Sequence, residues 1–135
     1  MQTTSAETFP RVLLAEDDAI IRFALRQFVK AHCSVVAETA DGQEAVDLTS
    51  ELNPDIVLMD VGMPGLSGLD AAHLIKTRMP EVRILMLSSY SDSWHINEAF
   101  RMGADGYVLK GSACVQLPQA IKYVLGGGTF RPAVG

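Results

Sequence analysis

Five short apolar segments, rich in β-branched residues, alternate along the chain with longer stretches of helical periodicity. They are RVLLAE, SVVAE, DIVLMD, RILMLSS and GYVLKG, with Val12, Val35, Ile56, Ile84 and Tyr107 as reference positions. The reference positions are 23, 21, 28 and 23 residues apart. Each interval is long enough for one helix and two short loops, which is the connection that two parallel strands need. The alternation therefore predicts five strand–helix units on one parallel sheet.

The predicted strands are apolar along most of their length, and this continuity sets the number of layers. A strand of this kind is buried on both faces, as in a parallel sheet that carries helices on each side. We therefore predict an α/β fold of three layers. It is a doubly wound, five-stranded parallel sheet with the order 2-1-3-4-5, as in flavodoxin-like folds.

Capping residues indicate where several of the helices begin. Asp18 precedes the first helix, DGQE at residues 41–44 is a capping-box pattern, and Ser67 precedes the third helix. Their side-chain oxygens are suited to accept the free amides of a first helical turn. Pro118 is expected in the first turn of the last helix, where its missing amide breaks no helical hydrogen bond.

The length of 135 residues suits a single hydrophobic core. We predict a folded domain over residues 11–126, preceded by an N-terminal tail of residues 1–10. The final stretch, GGGTFRPAVG, is rich in Gly and shows no strand or helix periodicity. Residues 127–135 are therefore expected to form a C-terminal tail, or the start of a linker to an output domain that lies outside this chain.

The balance of charges argues against direct contact with nucleic acid. The 11 Lys and Arg residues stand against 16 Asp and Glu residues, so the formal charge is -5 and no source of phosphate-backbone attraction is evident. The apolar runs are far shorter than the roughly 18 to 20 residues of a membrane span, and MQTTSAETFP lacks a signal-peptide pattern. We expect a cytoplasmic protein that does not enter the membrane.

Polar side chains follow four of the five predicted strands. They are Glu16 and Asp17 after the first strand, Asp60 after the third, Ser88 after the fourth and Lys110 after the fifth. Ligands of an open parallel sheet bind outside the carboxyl ends of its strands, where the strand order reverses. In the order 2-1-3-4-5 this place lies between the first and third strands, so Glu16, Asp17 and Asp60 are expected to meet there.

Three carboxylates at one edge would repel each other by roughly 4 kcal/mol for each close pair at an effective dielectric constant near 20. A divalent cation removes this cost. Oxygen ligands that must also accept phosphate suit Mg²⁺, or Mn²⁺ in its place. Glu16, Asp17 and Asp60 are the predicted side-chain ligands, and GMPG after Asp60 bends the chain so that the backbone carbonyl of Gly62 can join them.

Asp60 is the predicted nucleophile, because it ends the middle strand between the acid pair on one side and Ser88 and Lys110 on the other. Lys110 supplies a positive charge for a phosphoryl group, and Ser88 supplies a hydroxyl that donates to a phosphoryl oxygen. The set predicts phosphoryl transfer that forms an acyl phosphate on Asp60. Each residue alone has an ordinary structural explanation, such as helix capping, and their joint placement favours the functional one.

Four motifs in order and spacing resemble the receiver domain of two-component response regulators. They are VLLAEDD, PDIVLMDVGMPGLSGLD, ILMLSSY and GADGYVLKG, and the resemblance extends from Arg11 to Thr129. The details are most similar to the NarL/FixJ-type branch of that family.

The resemblance implies a role for each matching residue. Glu16 and Asp17 are the acidic pair, Asp60 is the phosphoacceptor, and the Gly62 carbonyl is a metal ligand; Ser88 is the switch hydroxyl, Tyr107 the switch aromatic, and Lys110 the phosphate partner. It also implies phosphorylation by a phosphohistidine on a sensor histidine kinase, or by small acyl phosphates. Catalysis would be limited to self-phosphorylation and auto-dephosphorylation, so the chain is not expected to be an enzyme acting on other substrates.

The resemblance further implies how the signal leaves the site. Movement of Ser88 toward a phosphoryl oxygen would leave space for the ring of Tyr107, which changes the face made by helix four, strand five and helix five. The protein would act as a homodimer through this face or through helices one and five. It would control an output domain, expected to be a DNA-binding transcription regulator. On the residues alone, an ordinary strand aromatic is the alternative interpretation of Tyr107.

Two other functions remain open on the sequence. An Asp-nucleophile phosphohydrolase would also use Asp60, but it needs a second Asp two residues later, where Gly62 stands. A receiver-like module that binds proteins without being phosphorylated would not need the complete set of polar strand ends. The response-regulator interpretation accounts for all of them.

Overall fold

A computed structural model describes residues 9–132, so the predicted N-terminal tail lies outside it except for Phe9 and Pro10. The strands are β1 (Arg11–Ala15), β2 (Ser34–Thr39), β3 (Ile56–Asp60), β4 (Arg83–Ser88) and β5 (Gly106–Leu109). The helices are α1 (Ala19–Val29), α2 (Gly42–Leu52), α3 (Gly68–Arg78), α4 (Ser93–Arg101) and α5 (Ala113–Leu125). No helix in the described part of the chain has the length and apolar character needed to cross a bilayer.

The five strands form one parallel sheet in the order β2-β1-β3-β4-β5. Successive side chains of a strand point to opposite faces, so each central strand feeds two cores. Val57 and Met59 join the core on the side of α2, α3 and α4, whereas Ile56 and Leu58 join the core on the side of α1 and α5. The predicted three-layer, doubly wound fold is therefore confirmed.

The helix starts follow the capping residues, with one exception. Asp18 accepts hydrogen bonds from the amides at the start of α1, Asp41 accepts one from Glu44, and Ser67 accepts one from Asp70. The prediction for Pro118 was wrong, because α5 begins at Ala113 and Pro118 is inside the helix. A short 3₁₀ turn at Lys110–Ser112 lets the helix begin soon after β5. Pro118 is exposed, so the helical carbonyl left without its amide partner lies near solvent.

The chain beyond α5 returns to the edge of the sheet. The amide of Phe130 donates to the carbonyl of Asp105 at 3.0 Å, and the amide of Tyr107 donates to the carbonyl of Phe130 at 2.9 Å. Arg131 donates to Asn97 Oδ1 at 2.8 Å, and its guanidinium lies 4.3 Å from the centre of the Phe100 ring. This segment therefore contacts both β5 and α4, while the linker expected here stays a prediction.

Candidate functional site

The carboxyl ends of β1, β3, β4 and β5 bring the predicted site residues to one edge of the sheet. The cleft there is lined by Glu16, Asp17, Asp60, Gly62, Ser88 and Lys110, among others. The strand register explains the convergence, since Ala15 pairs with Met59 and Asp60 pairs with Leu87. The residue that follows β1 is therefore beside the last residue of β3. Tyr107 is not among the residues that line this cleft, and its side chain is fully buried.

The three acids form a compact cluster. One carboxylate oxygen from each of Glu16, Asp17 and Asp60 lies within 4.8 Å of the others. Glu16 is fully buried and Asp60 is 4% exposed, whereas Asp17 is exposed. Lys110 Nζ lies 3.0 Å from Glu16 Oε1 and 3.1 Å from Asp60 Oδ1, so one ammonium faces two buried carboxyl groups.

Glu16 has polar contacts with Asp18, Lys110 and Arg22. Its Oε2 accepts a hydrogen bond from the amide of Asp18 at 3.0 Å. Its Oε1 is at ion-pair distance from Lys110, but it has no partner with hydrogen-bond geometry among residues 9–132. The guanidinium of Arg22 donates to the Glu16 backbone carbonyl at 2.7 Å. Arg22 was not predicted as a site residue, because nothing in the sequence distinguishes it from an ordinary surface position on α1.

The ionisation of the cluster follows from its burial. Burial raises the pKa of Glu16 to about 7, although the Asp18 amide and Lys110 oppose the change. Burial, and next the neighbouring Asp17 carboxyl, raise the pKa of Asp60. Burial acts to lower the pKa of Lys110, but the carboxylates of Glu16 and Asp60 raise it overall. The cluster therefore has too little positive charge to balance its acids, because, in the part of the chain that the structure describes, the Lys110 ammonium is the one cation beside three carboxyl groups.

These residues fit a small hard cation. All of the available donors are oxygens, and Glu16 Oε1 is a buried oxygen still short of a hydrogen-bond donor. Oxygen-only donor sets with few carboxylates are typical of Mg²⁺, which keeps several waters. The amide of Gly62 donates to Asp60 Oδ1 at 3.3 Å, which holds the loop after β3 close to the acids.

Mg²⁺ is expected to raise the thermal stability of the wild-type chain, because it binds the folded cluster and relieves its charge imbalance. At a free concentration 100 times its Kd, the gain is about 2.7 kcal/mol. Asp17→Asn should remove most of this gain without unfolding the protein, since Asp17 is exposed. Melting curves with and without Mg²⁺ measure the effect. Glu51→Gln, on the exposed surface of α2, removes the same charge and should keep the full gain; an equal gain in Asp17→Asn would contradict the assignment.

The predicted switch residues are linked by hydrogen bonds through the loop after β4. Ser88 Oγ accepts a hydrogen bond from the amide of Tyr90 at 3.0 Å. The hydroxyl of Tyr107 donates to the carbonyl of Tyr90 at 2.7 Å, and the Tyr107 ring is fully buried. The ring is thus already on the interior side while Ser88 is bonded to Tyr90. The movement of Ser88 toward a phosphoryl oxygen, and the response of Tyr107 to it, stay predictions.

Fold and cleft together define the class of protein: an α/β domain of the receiver type, with an acid cluster at the switch point of a 2-1-3-4-5 sheet. Residues 12–122 match the family model described as "Response regulator receiver domain". The chain belongs to this family, and the resemblance noted in the sequence is confirmed.

The relatives are regulators of the LuxR/NarL type. The transcriptional regulatory protein LnrK of Bacillus subtilis (strain 168) is 36% identical over 124 residues, which cover 90% of this chain and 56% of LnrK. The oxygen regulatory protein NreC of Staphylococcus aureus (strain JH9) is 38% identical, with 89% of this chain and 57% of NreC covered. The crystal structure of a LuxR-family two-component response regulator from Aurantimonas sp. SI85-9A1 has a TM-score of 0.86 and 37% identity, covering 90% of this chain and 88% of that one. The chain spans about half the length of the curated relatives it matches.

Proposed function

We propose that this receiver domain accepts a phosphoryl group on Asp60 from a phosphohistidine of a sensor histidine kinase, in a reaction that depends on Mg²⁺. The observation that carries the proposal is the position of Asp60. It ends the central strand β3, it is almost fully buried, and its Oδ1 lies 3.1 Å from the Lys110 ammonium. A carboxylate without a functional partner is seldom retained in so enclosed a position.

The proposed chemistry divides the charge of the phosphoryl group among the residues of the cleft. A carboxylate oxygen of Asp60 attacks the phosphorus atom, the P–N bond to the donor imidazole breaks, and its electron pair leaves with that imidazole. Lys110 contacts the phosphoryl oxygens from one side, and the Ser88 hydroxyl donates to one of them. Glu16, Asp17, Asp60 and the Gly62 carbonyl would hold Mg²⁺, which neutralises the phosphoryl oxygens when bound. Hydrolysis of the acyl phosphate by water returns the carboxylate.

The proposed output is a change at the face formed by α4, β5 and α5. Tyr107 on β5 joins this face to the cleft through Tyr90, and the backbone amide of Tyr107 holds Phe130 of the C-terminal segment. Several relatives are transcriptional regulatory proteins longer than this chain. We therefore propose that the domain controls transcription through a DNA-binding domain elsewhere in the full protein.

Two faces are candidates for a homodimer, and we propose the one formed by α1 and α5. The edge of β5 is partly covered by the bridge between Gly106 and Phe130 and by the contacts of Arg131 with α4. Between α5 and the loop after α1, by contrast, an open groove is lined by residues including Cys33, Pro118 and Ile121. Phe28 on α1, whose ring is exposed, lines an adjoining cavity together with the same three residues.

A charge beside this groove, on the exposed side of α1, is expected to prevent association. Phe28→Glu should keep the chain monomeric at concentrations where phosphorylated or beryllofluoride-treated wild-type protein forms dimers, because burying an unpaired carboxylate is costly. Sedimentation measures the difference. Trp94→Glu, on the alternative face, is the matched control and should still dimerise. The reverse pattern would assign the dimer to α4, β5 and α5.

Incubation with Mg²⁺ and a small acyl phosphate, or with a phosphorylated histidine kinase, tests the proposed function. The chain should gain the mass of one phosphoryl group, and this group should be released by hydroxylamine, which cleaves acyl phosphates. Omission of Mg²⁺ should prevent the gain. Absence of any mass gain with both donors would contradict the proposal, and turnover of a free phosphomonoester would favour a phosphohydrolase instead.

A further inference from the structure

The backbone of Tyr90 is bonded at both ends to a switch side chain. Its amide donates to Ser88 Oγ at 3.0 Å, and its carbonyl accepts a hydrogen bond from the Tyr107 hydroxyl at 2.7 Å. Tyr90 lines the same cleft as Asp60 and is 52% exposed. Tyr90 therefore connects the cleft to the buried ring of Tyr107. A shift of the Tyr90 backbone would change the hydrogen bonds of both Ser88 and Tyr107.

A histidine in the first turn of α4 holds the Tyr90 ring. The rings of Tyr90 and His95 are stacked with their centroids 3.9 Å apart and an angle of 4° between their planes. His95 Nδ1 lies 2.7 Å and 2.8 Å from the two carboxylate oxygens of Asp92. Asp92 also caps α4 by accepting the His95 amide at 3.2 Å. The imidazole is thus fixed by α4 on one side and supports Tyr90 on the other.

We propose that His95 is a positioning residue for the aspartyl phosphate on Asp60, and this rests on the proposed function. The stack restrains an exposed ring at the mouth of the cleft and, with it, the backbone that binds Ser88 and Tyr107. A restrained Tyr90 limits the approach of water to the phosphoryl group. Loss of the stack should therefore shorten the lifetime of the phosphorylated form, although His95 itself touches neither Asp60 nor the phosphoryl group.

The Asp92 carboxylate that holds His95 is charged. Although desolvation acts to raise it, the hydrogen bonds from the His95 amide and ring lower the pKa of Asp92 overall. The carboxylate of Glu98, one turn along α4, is paired with Arg101. Asp92 is therefore the acid that fixes the imidazole against the Tyr90 ring.

The rate of auto-dephosphorylation of His95 variants tests the proposal. His95→Ala should hydrolyse its aspartyl phosphate about two- to tenfold faster than the wild type, the range that an aromatic pair of this kind supports. His95→Phe keeps a ring in the stack and should return to within about twofold of the wild type at pH 8. His73→Gln, on the exposed surface of α3, is the matched control and should leave the rate unchanged. Circular dichroism confirms that each variant is folded.

Rescue by His95→Phe provides a readout that a merely structural role would not change, because only a ring at position 95 can restore the stack on Tyr90. A wild-type rate in His95→Ala, or a rate in His95→Phe as fast as that of His95→Ala, would overturn the positioning role. Failure of the wild type to become phosphorylated would instead count against the proposed function.

Discussion

Asp60→Asn is expected to abolish phosphorylation by both acyl phosphates and a phosphorylated kinase. The amide lacks the negative charge of the attacking oxygen, and no other acid occupies the end of the central strand β3. The variant should fold at least as stably as the wild type. Burial raises the pKa of Asp60 because it disfavours the charged carboxylate. Asn removes this buried charge. Intact-protein mass spectrometry measures phosphorylation, and urea unfolding measures stability.

The same variant should lose the response to beryllofluoride and Mg²⁺. Trp94 is the single Trp of the chain, and its ring contacts the edge of His95 at a centroid distance of 4.9 Å. Its fluorescence should therefore follow changes in the loop after β4. Asp47→Asn, with an exposed carboxylate on α2, makes the same chemical change far from the cleft and should respond normally. A normal response in Asp60→Asn would refute the site assignment, and peptide mapping of the chain after reaction with an acyl phosphate would then identify the phosphorylated residue.

The convergence of the site residues was predictable because it follows from topology. Once strands are parallel and ordered 2-1-3-4-5, the residues after β1 and β3 must lie side by side, whatever the packing beneath them. The sequence was therefore enough to predict that Glu16, Asp17 and Asp60 lie together. It was not enough to predict how each acid ionises, because the burial of Glu16 and the exposure of Asp17 depend on how α1 leaves the sheet.

Contacts made by loops were not predictable in this way. The stack of Tyr90 on His95 joins a loop to the first turn of α4, and neither residue belongs to a period that marks a strand or a helix face. The return of Phe130 to β5 is a single bridge, which is too short to produce an alternating pattern. The early start of α5 depends on the 3₁₀ turn before it, so Pro118 was placed too near the beginning of the helix.

Gly68 determines how closely the start of α3 approaches the end of β3, where Asp60 is the proposed phosphoacceptor. A Cβ added at Gly68 would lie 1.9 Å from the backbone carbonyl oxygen of Asp60 and 3.0 Å from the Cα of Val61. The amide of Gly68 donates to the carbonyl of Val61 at 2.9 Å, which holds the two backbones together. Backbone atoms cannot move aside as a flexible side chain can. Any side chain at this position must therefore separate α3 from the end of β3.

Gly68→Ala is accordingly expected to lower the free energy of unfolding by about 3 kcal/mol or more, at the upper end of the cost of overpacking. It should also weaken beryllofluoride binding in molecules that remain folded, because the displaced backbone carries Asp60. Gly42→Ala provides the matched comparison, since its Cβ would lie 1.9 Å from the backbone oxygen of Leu66. It should be similarly unstable, yet bind beryllofluoride normally when folded.

Gly62→Ala is the control for replacing a glycine near the site without a steric clash. No described atom, apart from Gly62 and its chain neighbours, lies within 4 Å of a Cβ built there, so its stability should stay within about 0.5 kcal/mol of the wild type. Urea unfolding and beryllofluoride titration of the three variants measure both quantities. An unfolding free energy for Gly68→Ala equal to that of Gly62→Ala would mean that α3 can shift without cost. The geometry of Asp60 would then not depend on that contact.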